Sequence, residues 1–168
     1  MCCVAKEMCS SPETALKAQV SLNPGARGRA TRTTQAEVPM SLRRVILADD
    51  LALVLSAVSA LLRESFDIVA TVSDGHAALE AILKHEPELA VLDISMPGMS
   101  GIDVVREARM RGNNTRIVFL TVHEDADILA ACLSVGGLGY VIKVYMNHDL
   151  IPAINAALGG RVFVSRFS

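Results

Sequence analysis

Short apolar runs alternate with longer segments of helical periodicity from residue 44 onward. Five runs are rich in Val, Ile, Leu or Phe, as expected of parallel strands covered on both faces: Val45–Ala48, Ile68–Val72, Leu89–Leu92, Ile117–Leu120 and Tyr140–Ile142. The intervening segments predict helices near Ala52–Glu64, Gly75–Lys84, Ile102–Arg111, Asp125–Ser134 and Asn147–Leu158. The glycines at positions 112 and 136 lie where helix C-terminal caps are expected. The alternation therefore predicts an α/β domain with a five-stranded, parallel, doubly wound sheet and helices on both faces.

The same pattern divides the chain into three parts. Residues 1–39 contain Ser, Thr, Pro, Gly and Arg without apolar periodicity, so we expect a disordered N-terminal extension there. Residues 40–160 form the predicted folded domain, and residues 161–168 are predicted to be a C-terminal tail or a truncated linker. Met40 lies immediately before the first strand and is a second candidate for the translation start.

Composition narrows the class of protein. The chain is 51% hydrophobic and has a net charge of −2, so it can bury a core but lacks the basic excess typical of nucleic-acid binding. The longest near-apolar run, Leu51–Leu62, is far shorter than the ~20 residues that span a bilayer. Three of the four cysteines lie within the first nine residues, which does not indicate a disulfide framework. We therefore expect a cytoplasmic protein with no membrane association.

Polar residues follow four of the predicted strands. The first strand ends in Asp49 and Asp50, the third in Asp93, the fourth in Thr121 and the fifth in Lys143. Because ligands of doubly wound sheets bind beyond the carboxyl ends of the strands, these side chains are predicted to share one site. Clustered carboxylates favour a hard cation such as Mg²⁺, while the ammonium and hydroxyl groups suit an anion. The set indicates phosphoryl transfer.

Each of these residues also has an ordinary structural explanation. Asp50 could cap the first helix, Asp93 could belong to turn chemistry before Pro97, and Lys143 could be a solvated charge. The four histidines, at positions 76, 85, 123 and 148, show no metal-ligand spacing and are assigned to surface or loop positions. Only the joint occurrence of the polar residues at one sheet edge favours a functional site.

Four segments, in this order and spacing, resemble the receiver domain of bacterial two-component response regulators: Ile46–Asp50, Val91–Gly101, Phe119–Val122 and Gly139–Lys143. The resemblance covers about residues 44–160 and is greatest to receivers that precede a LuxR-type helix-turn-helix. It implies the flavodoxin-like receiver fold. One departure is Val144, which stands where many receivers have a proline after the lysine.

The resemblance also implies roles for individual residues. Asp93 would be the phosphoacceptor, and the Mg²⁺ ligands would be Asp49, Asp50, Asp93 and the backbone carbonyl of Ser95. Asp50 would bind the ion directly and Asp49 mainly through water. Thr121 and Lys143 would bind the phosphoryl oxygens, and Thr121 and Tyr140 would form the conformational switch.

The implied partners are a sensor histidine kinase and a downstream protein that contacts the fourth helix, fifth strand and fifth helix. We expect no enzymatic turnover of external substrates and no direct DNA binding, and a homodimer through the apolar first helix is a further hypothesis. Four alternatives stay open: the receiver part of a DNA-binding transcriptional regulator, an aspartyl-phosphate hydrolase, a nucleotide-binding module and a receiver-like scaffold that no longer takes phosphate. A hydrolase usually has a second acid at the position of Ser95, and a nucleotide-binding module has a glycine-rich loop after the first strand.

Overall fold

The computed structural model of the protein describes residues 42–167. The extension predicted over residues 1–39, together with Met40, lies outside the described residues. The strands are β1 (Arg43–Ala48), β2 (Phe66–Val72), β3 (Leu89–Asp93), β4 (Arg116–Thr121), β5 (Gly137–Ile142) and β6 (Phe163–Val164). The helices are α1 (Ala52–Leu62), α2 (Gly75–His85), α3 (Gly101–Met110), α4 (Ala126–Ser134) and α5 (Met146–Leu158), and a 3₁₀ turn over Lys143–Tyr145 precedes α5.

The six strands form one parallel sheet in the order β2-β1-β3-β4-β5-β6. The chain reverses its direction of progress across the sheet between β1 and β3, which lie side by side. The carboxyl ends of these two strands therefore border the crevice in which such sheets bind ligands.

Side chains alternate between two apolar layers along each strand. Val45 and Leu47 pack on the face covered by α1 and α5, whereas Ile46 and Ala48 pack on the face covered by α2, α3 and α4. Burial on both faces explains why the strand sequences are almost continuously apolar. The predicted helices on both faces are confirmed.

All five predicted strands are present, and the structure adds a sixth, β6, at the edge of the sheet. The sequence predicts a tail or truncated linker over residues 161–168, but Phe163 and Val164 pair in parallel with Gly139 and Tyr140 of β5. Gly159 and Gly160 end α5, and Gly160 adopts φ +72°, a left-handed conformation that suits glycine. The chain thus turns back along the edge of the sheet. A two-residue strand has no detectable periodicity, which is why the apolar pattern did not reveal it.

The two glycines predicted to end helices agree with the structure. Gly112 and Gly136 have φ values of +79° and +88°, as expected of helix C-terminal caps. Within residues 42–167, no helix has both the length and the apolar character needed to cross a membrane.

Candidate phosphoryl-transfer site

The predicted polar residues converge at the carboxyl edge of the sheet. Asp49 follows β1, Asp93 is the last residue of β3, Thr121 is the last residue of β4, and Lys143 follows β5 directly. Parallel pairing brings these strand ends side by side, with Thr121 in register with Ile142. The buried sheet therefore fixes the backbone from which each side chain extends.

Three carboxylates form the centre of the site. One oxygen from each of Asp49, Asp50 and Asp93 lies within 4.8 Å of the others. Asp49 and Asp93 are buried, with exposed fractions of 2% and 4%, whereas Asp50 is exposed. Backbone amides orient the two buried groups: the Leu51 amide donates to Asp49 Oδ1 at 3.0 Å, and the Ile94 amide donates to Asp93 Oδ1 at 2.8 Å.

Lys143 joins the two buried carboxylates. Its Nζ lies 2.7 Å from Asp49 Oδ2 and 3.2 Å from Asp93 Oδ2, and its side chain is 10% exposed. Lys143 is therefore not a solvated charge, and that ordinary explanation is wrong. Asp50 does not cap α1 either, because the N-cap position is Leu51 and no side chain caps it.

The three carboxylates carry more negative charge than Lys143 neutralises. Burial raises the pKa of Asp49, and the nearby charge of Asp93 raises it further, while Lys143 and the Leu51 amide act in the opposite direction. Three ionised carboxylates and one ammonium leave a net charge of −2. Asp49 Oδ2 is buried and, apart from the ion pair, has no hydrogen-bond donor of regular geometry in the described part of the chain. A hard divalent cation with oxygen ligands fits this set.

A hydrogen-bonded chain runs from the site to the neighbouring loop. The backbone amide of His123 donates to Thr121 Oγ1 at 3.1 Å, and His123 Nε2 lies 3.0 Å from the hydroxyl of Ser95. The buried Tyr140 hydroxyl donates to the His123 carbonyl at 2.8 Å. His123 thus contacts three of the predicted site residues.

His123 lies in a loop, as the sequence predicts, but the sequence does not reveal its hydrogen bonds to the site. Metal-ligand spacing is uninformative for a residue that contacts its neighbours through hydrogen bonds. The available signal was its location two residues after Thr121, just beyond the carboxyl end of β4. Tyr140 already points into the protein, where its ring is fully buried.

Comparisons with known proteins agree with this geometry. The response regulator receiver domain family matches residues 45–155. The transcriptional regulatory protein PdtaR of Mycobacterium tuberculosis is 35% identical over 136 residues, which cover 80% of this chain and 62% of that protein. The chain therefore spans less than two thirds of this curated relative.

Two solved structures show the same architecture. The signal receiver domain of NarL from Mycobacterium tuberculosis has a TM-score of 0.69 and 32% identity, covering 72% of this chain and 99% of that one. The isolated receiver domain of RcsB from Salmonella enterica, solved with phosphomimetic beryllofluoride, has a TM-score of 0.68 and 27% identity. It covers 74% of this chain and 94% of its own. By its fold, its acidic site and its family match, the chain belongs to the response regulator receiver family.

Proposed function

We propose that Asp93 accepts a phosphoryl group from a phosphohistidine of a sensor histidine kinase. The observation that carries the proposal is the position of Lys143 Nζ, which lies within 3.2 Å of a carboxylate oxygen of both Asp49 and Asp93. An anion added at Asp93 would be formed beside a buried cation. Phosphoryl transfer depends chiefly on such positioning and charge neutralisation.

The covalent step is a single displacement. A carboxylate oxygen of Asp93 forms a bond to phosphorus while the phosphorus–nitrogen bond to the kinase imidazole breaks, and the bonding electron pair returns to that nitrogen. Lys143 then pairs with the phosphoryl oxygens, and the Thr121 hydroxyl donates to one of them. The product is an acyl phosphate, which adds about −1.5 to −2 charges at one point.

Mg²⁺ is the proposed cofactor. The carboxylates of Asp49, Asp50 and Asp93 and the backbone carbonyl of Ser95 would hold it, with Asp49 acting mainly through water. Bound there, the ion supplies positive charge that offsets the charge on the phosphoryl oxygens. The residual charge of the three acids and the buried Asp49 Oδ2 support this assignment.

Phosphorylation of the full chain with acetyl phosphate and Mg²⁺ tests the assignment of Asp93. Intact-mass analysis should show one added phosphoryl group in the wild type and none in Asp93→Asn. Asp67→Asn is the matched control. Asp67 is exposed near the amino end of β2, whereas the site lies at the carboxyl edge of the sheet. Equal phosphorylation of Asp93→Asn and the wild type would contradict the proposal.

We further propose that the chain does not turn over external phosphate esters. A hydrolase of this design needs a second acid two residues after the nucleophile, and Ser95 occupies that position with its hydroxyl paired to His123. A colorimetric phosphatase assay should give no turnover above the Asp93→Asn background. Multiple turnovers that require Asp93 would favour the hydrolase instead.

The proposed output is a change in protein contacts at α4, β5 and α5, in the cytoplasm. A second candidate function is the receiver part of a DNA-binding transcriptional regulator. PdtaR is named a transcriptional regulatory protein and extends beyond the matched region, and a solved structure named a LuxR-family DNA-binding response regulator, from Staphylococcus aureus, is 27% identical to this chain. Both similarities support this candidate. Phosphorylation-dependent capture of a protein partner would distinguish direct signalling from a role inside a longer regulator.

Self-association through α1 is the remaining proposed contact. Leu53 on this helix is 86% exposed, and Ser56 and Ala60 on the same helix are also exposed. Sedimentation should show dimers that Leu53→Glu weakens, while Met110→Glu, an equally drastic change at an exposed position on α3, has no effect. A wild-type monomer at high concentration, with and without beryllofluoride, would exclude the dimer.

A further inference from the structure

Residues 161–167, named here the C-terminal segment, lie along the edge of β5. We propose that docking of this segment is coupled to phosphoryl binding at Asp93, with Ser165 as a positioning residue for Lys143. The inference rests on the proposed function, because it concerns how the same site is regulated. Two connections carry it, one through Ser165 and one through Tyr140.

Ser165 attaches the segment to the domain. It is 3% exposed, and its amide donates to the Tyr140 carbonyl at 2.8 Å, which continues the β5–β6 pairing. Its hydroxyl accepts from the Ile142 amide at 3.2 Å and donates to Asp149 Oδ2 of α5 at 2.5 Å. One serine therefore links the segment to the end of β5 and to the first turn of α5.

The Ile142 contact leads directly to the phosphoryl site. Ile142 is the last residue of β5, and the next residue is Lys143, whose Nζ pairs with Asp49 and Asp93. When Ser165 is docked, its hydroxyl holds the Ile142 amide, and this bond fixes the backbone immediately before Lys143. Without it, that amide would lie at an open sheet edge.

Tyr140 provides a second connection. The Phe167 ring lies 6.0 Å from the Tyr140 ring at an interplanar angle of 57°, a favourable tilted arrangement. On its other side, the Tyr140 hydroxyl holds the His123 carbonyl, and the His123 amide contacts Thr121. Both proposed phosphoryl-binding side chains, Thr121 and Lys143, are therefore linked to the C-terminal segment.

The segment is suited to exist in two states. Its strand has only two residues, and the segment directly follows Gly159 and Gly160, the two glycines at the end of α5. Val162 is 55% exposed and Val164 is 38% exposed, so the apolar contacts that undocking would break are mainly those of the Phe163 and Phe167 rings. Segments of this kind open locally at much lower free energy than the core. The segment can therefore occupy a docked and an undocked state, and ligand binding can shift the balance between them.

The sign of the coupling follows from Lys143. The docked state holds the lysine ready to neutralise an added anion, so it should bind a phosphoryl group better than the undocked state. Linkage is reciprocal, so phosphoryl binding must favour docking by the same factor. A coupling of about fivefold lies at the lower end of the usual range for allosteric proteins.

NMR amide exchange on the full chain tests the first direction. Addition of beryllofluoride and Mg²⁺ should slow exchange of the Ser165 and Ile142 amides by about fivefold. The Ile94 amide, which contacts Asp93, reports independently on binding at the site. The Ser134→Ala variant, which loses a hydroxyl bond to Ala131 on α4, should behave as the wild type.

A pair of nearly isosteric variants tests the reverse direction. Ser165→Thr keeps the hydroxyl, whereas Ser165→Val lacks it at almost the same size. The valine variant should bind beryllofluoride about fivefold more weakly at saturating Mg²⁺, and the threonine variant should bind nearly as the wild type. Equal weakening in both variants would overturn the role of the hydroxyl.

The outcomes separate this inference from the proposed function. A response at Ile94 with unchanged or faster exchange at Ser165 and Ile142 would overturn the coupling and leave the phosphoryl site intact. No response at Ile94 would overturn the proposed function and the coupling with it. Slower exchange at all three amides, together with hydroxyl-dependent affinity, would support the inference.

Discussion

The ammonium group of Lys143 acts on cations and anions in opposite directions. Lys143→Met keeps most of the length of the side chain but leaves the carboxylates of Asp49 and Asp93 without their paired cation. Mg²⁺ should then bind more tightly, and beryllofluoride, which mimics the phosphoryl group, more weakly. Because charged hydrogen bonds contribute ~1.5–3 kcal/mol, each affinity should change by roughly tenfold or more. Titrations followed at the Ile94 amide measure both effects.

The matched control for this variant is Lys84→Met. Lys84 is exposed on α2, and its substitution should change neither affinity. A Lys143→Met protein that loses Mg²⁺ and beryllofluoride binding together would indicate a collapsed site. In that case the specific electrostatic role of Lys143 would be wrong.

Tyr140 predicts how stability changes at alkaline pH. Burial raises the pKa of its hydroxyl from 10.0 to about 12, and the nearby Cys132 and Asp125 raise it as well. Between these values the unfolded chain releases the proton and the folded chain keeps it. The folded state therefore loses stability as pH rises from 10 to 12, and the contribution is fully present below pH 10.

Urea unfolding at several pH values measures this effect. Tyr140→Phe should flatten the decline above pH 10, because one proton-linked group is removed, although loss of the bond to His123 lowers stability at every pH. Burial also raises the pKa of the Cys132 thiol to about 12, so some decline should persist in the variant. Parallel curves for the two proteins would contradict the Tyr140 assignment.

At the scale of whole elements, α3 approaches the end of β3 through Gly101. A Cβ at this position would lie 2.1 Å from the Asp93 carbonyl oxygen, and the Gly101 amide donates to the Ile94 carbonyl at 2.9 Å. Gly101→Ala must therefore move α3 away from the strand that carries Asp93. Overpacking of this kind costs ~1–3 kcal/mol of unfolding free energy.

Chemical denaturation compares this variant with Gly159→Ala. A Cβ at Gly159 would meet its nearest neighbour at 3.4 Å, so this substitution should be nearly neutral. Gly101→Ala should also weaken Mg²⁺ binding, because the Asp93 backbone shifts. Wild-type stability in Gly101→Ala would show that α3 can move without affecting β3.

The elements also show how far sequence reasoning extends. Apolar periodicity gave β1 to β5 and all five helices, because burial on both faces forces nearly continuous apolar strands. It placed the acids and Lys143 at one edge because parallel strands end together. It missed β6, which depends on the contacts of the Ser165 hydroxyl and on two residue pairs with β5. Such contacts depend on tertiary structure and leave no periodic signal.

At the scale of the whole molecule, charge predicts how the chain behaves toward DNA. Residues 41–168 contain 11 basic and 15 acidic side chains, a formal charge of −4 that phosphorylation makes more negative. Within residues 42–167, the helices pack on the sheet, and none is separate enough to form a helix-turn-helix. The chain itself should therefore lack sequence-specific DNA binding.

Gel-shift titrations over a range of salt concentrations check this prediction. The arginines at positions 27, 29 and 32 could give weak attraction to DNA, but counterion release makes such binding fall steeply with salt. We expect any retardation to vanish at physiological salt and to be the same for unrelated sequences, with or without beryllofluoride. Tight binding that survives salt and depends on sequence would contradict the prediction. Such binding would require an element that enters a DNA groove, and the helices of residues 42–167 are packed on the sheet.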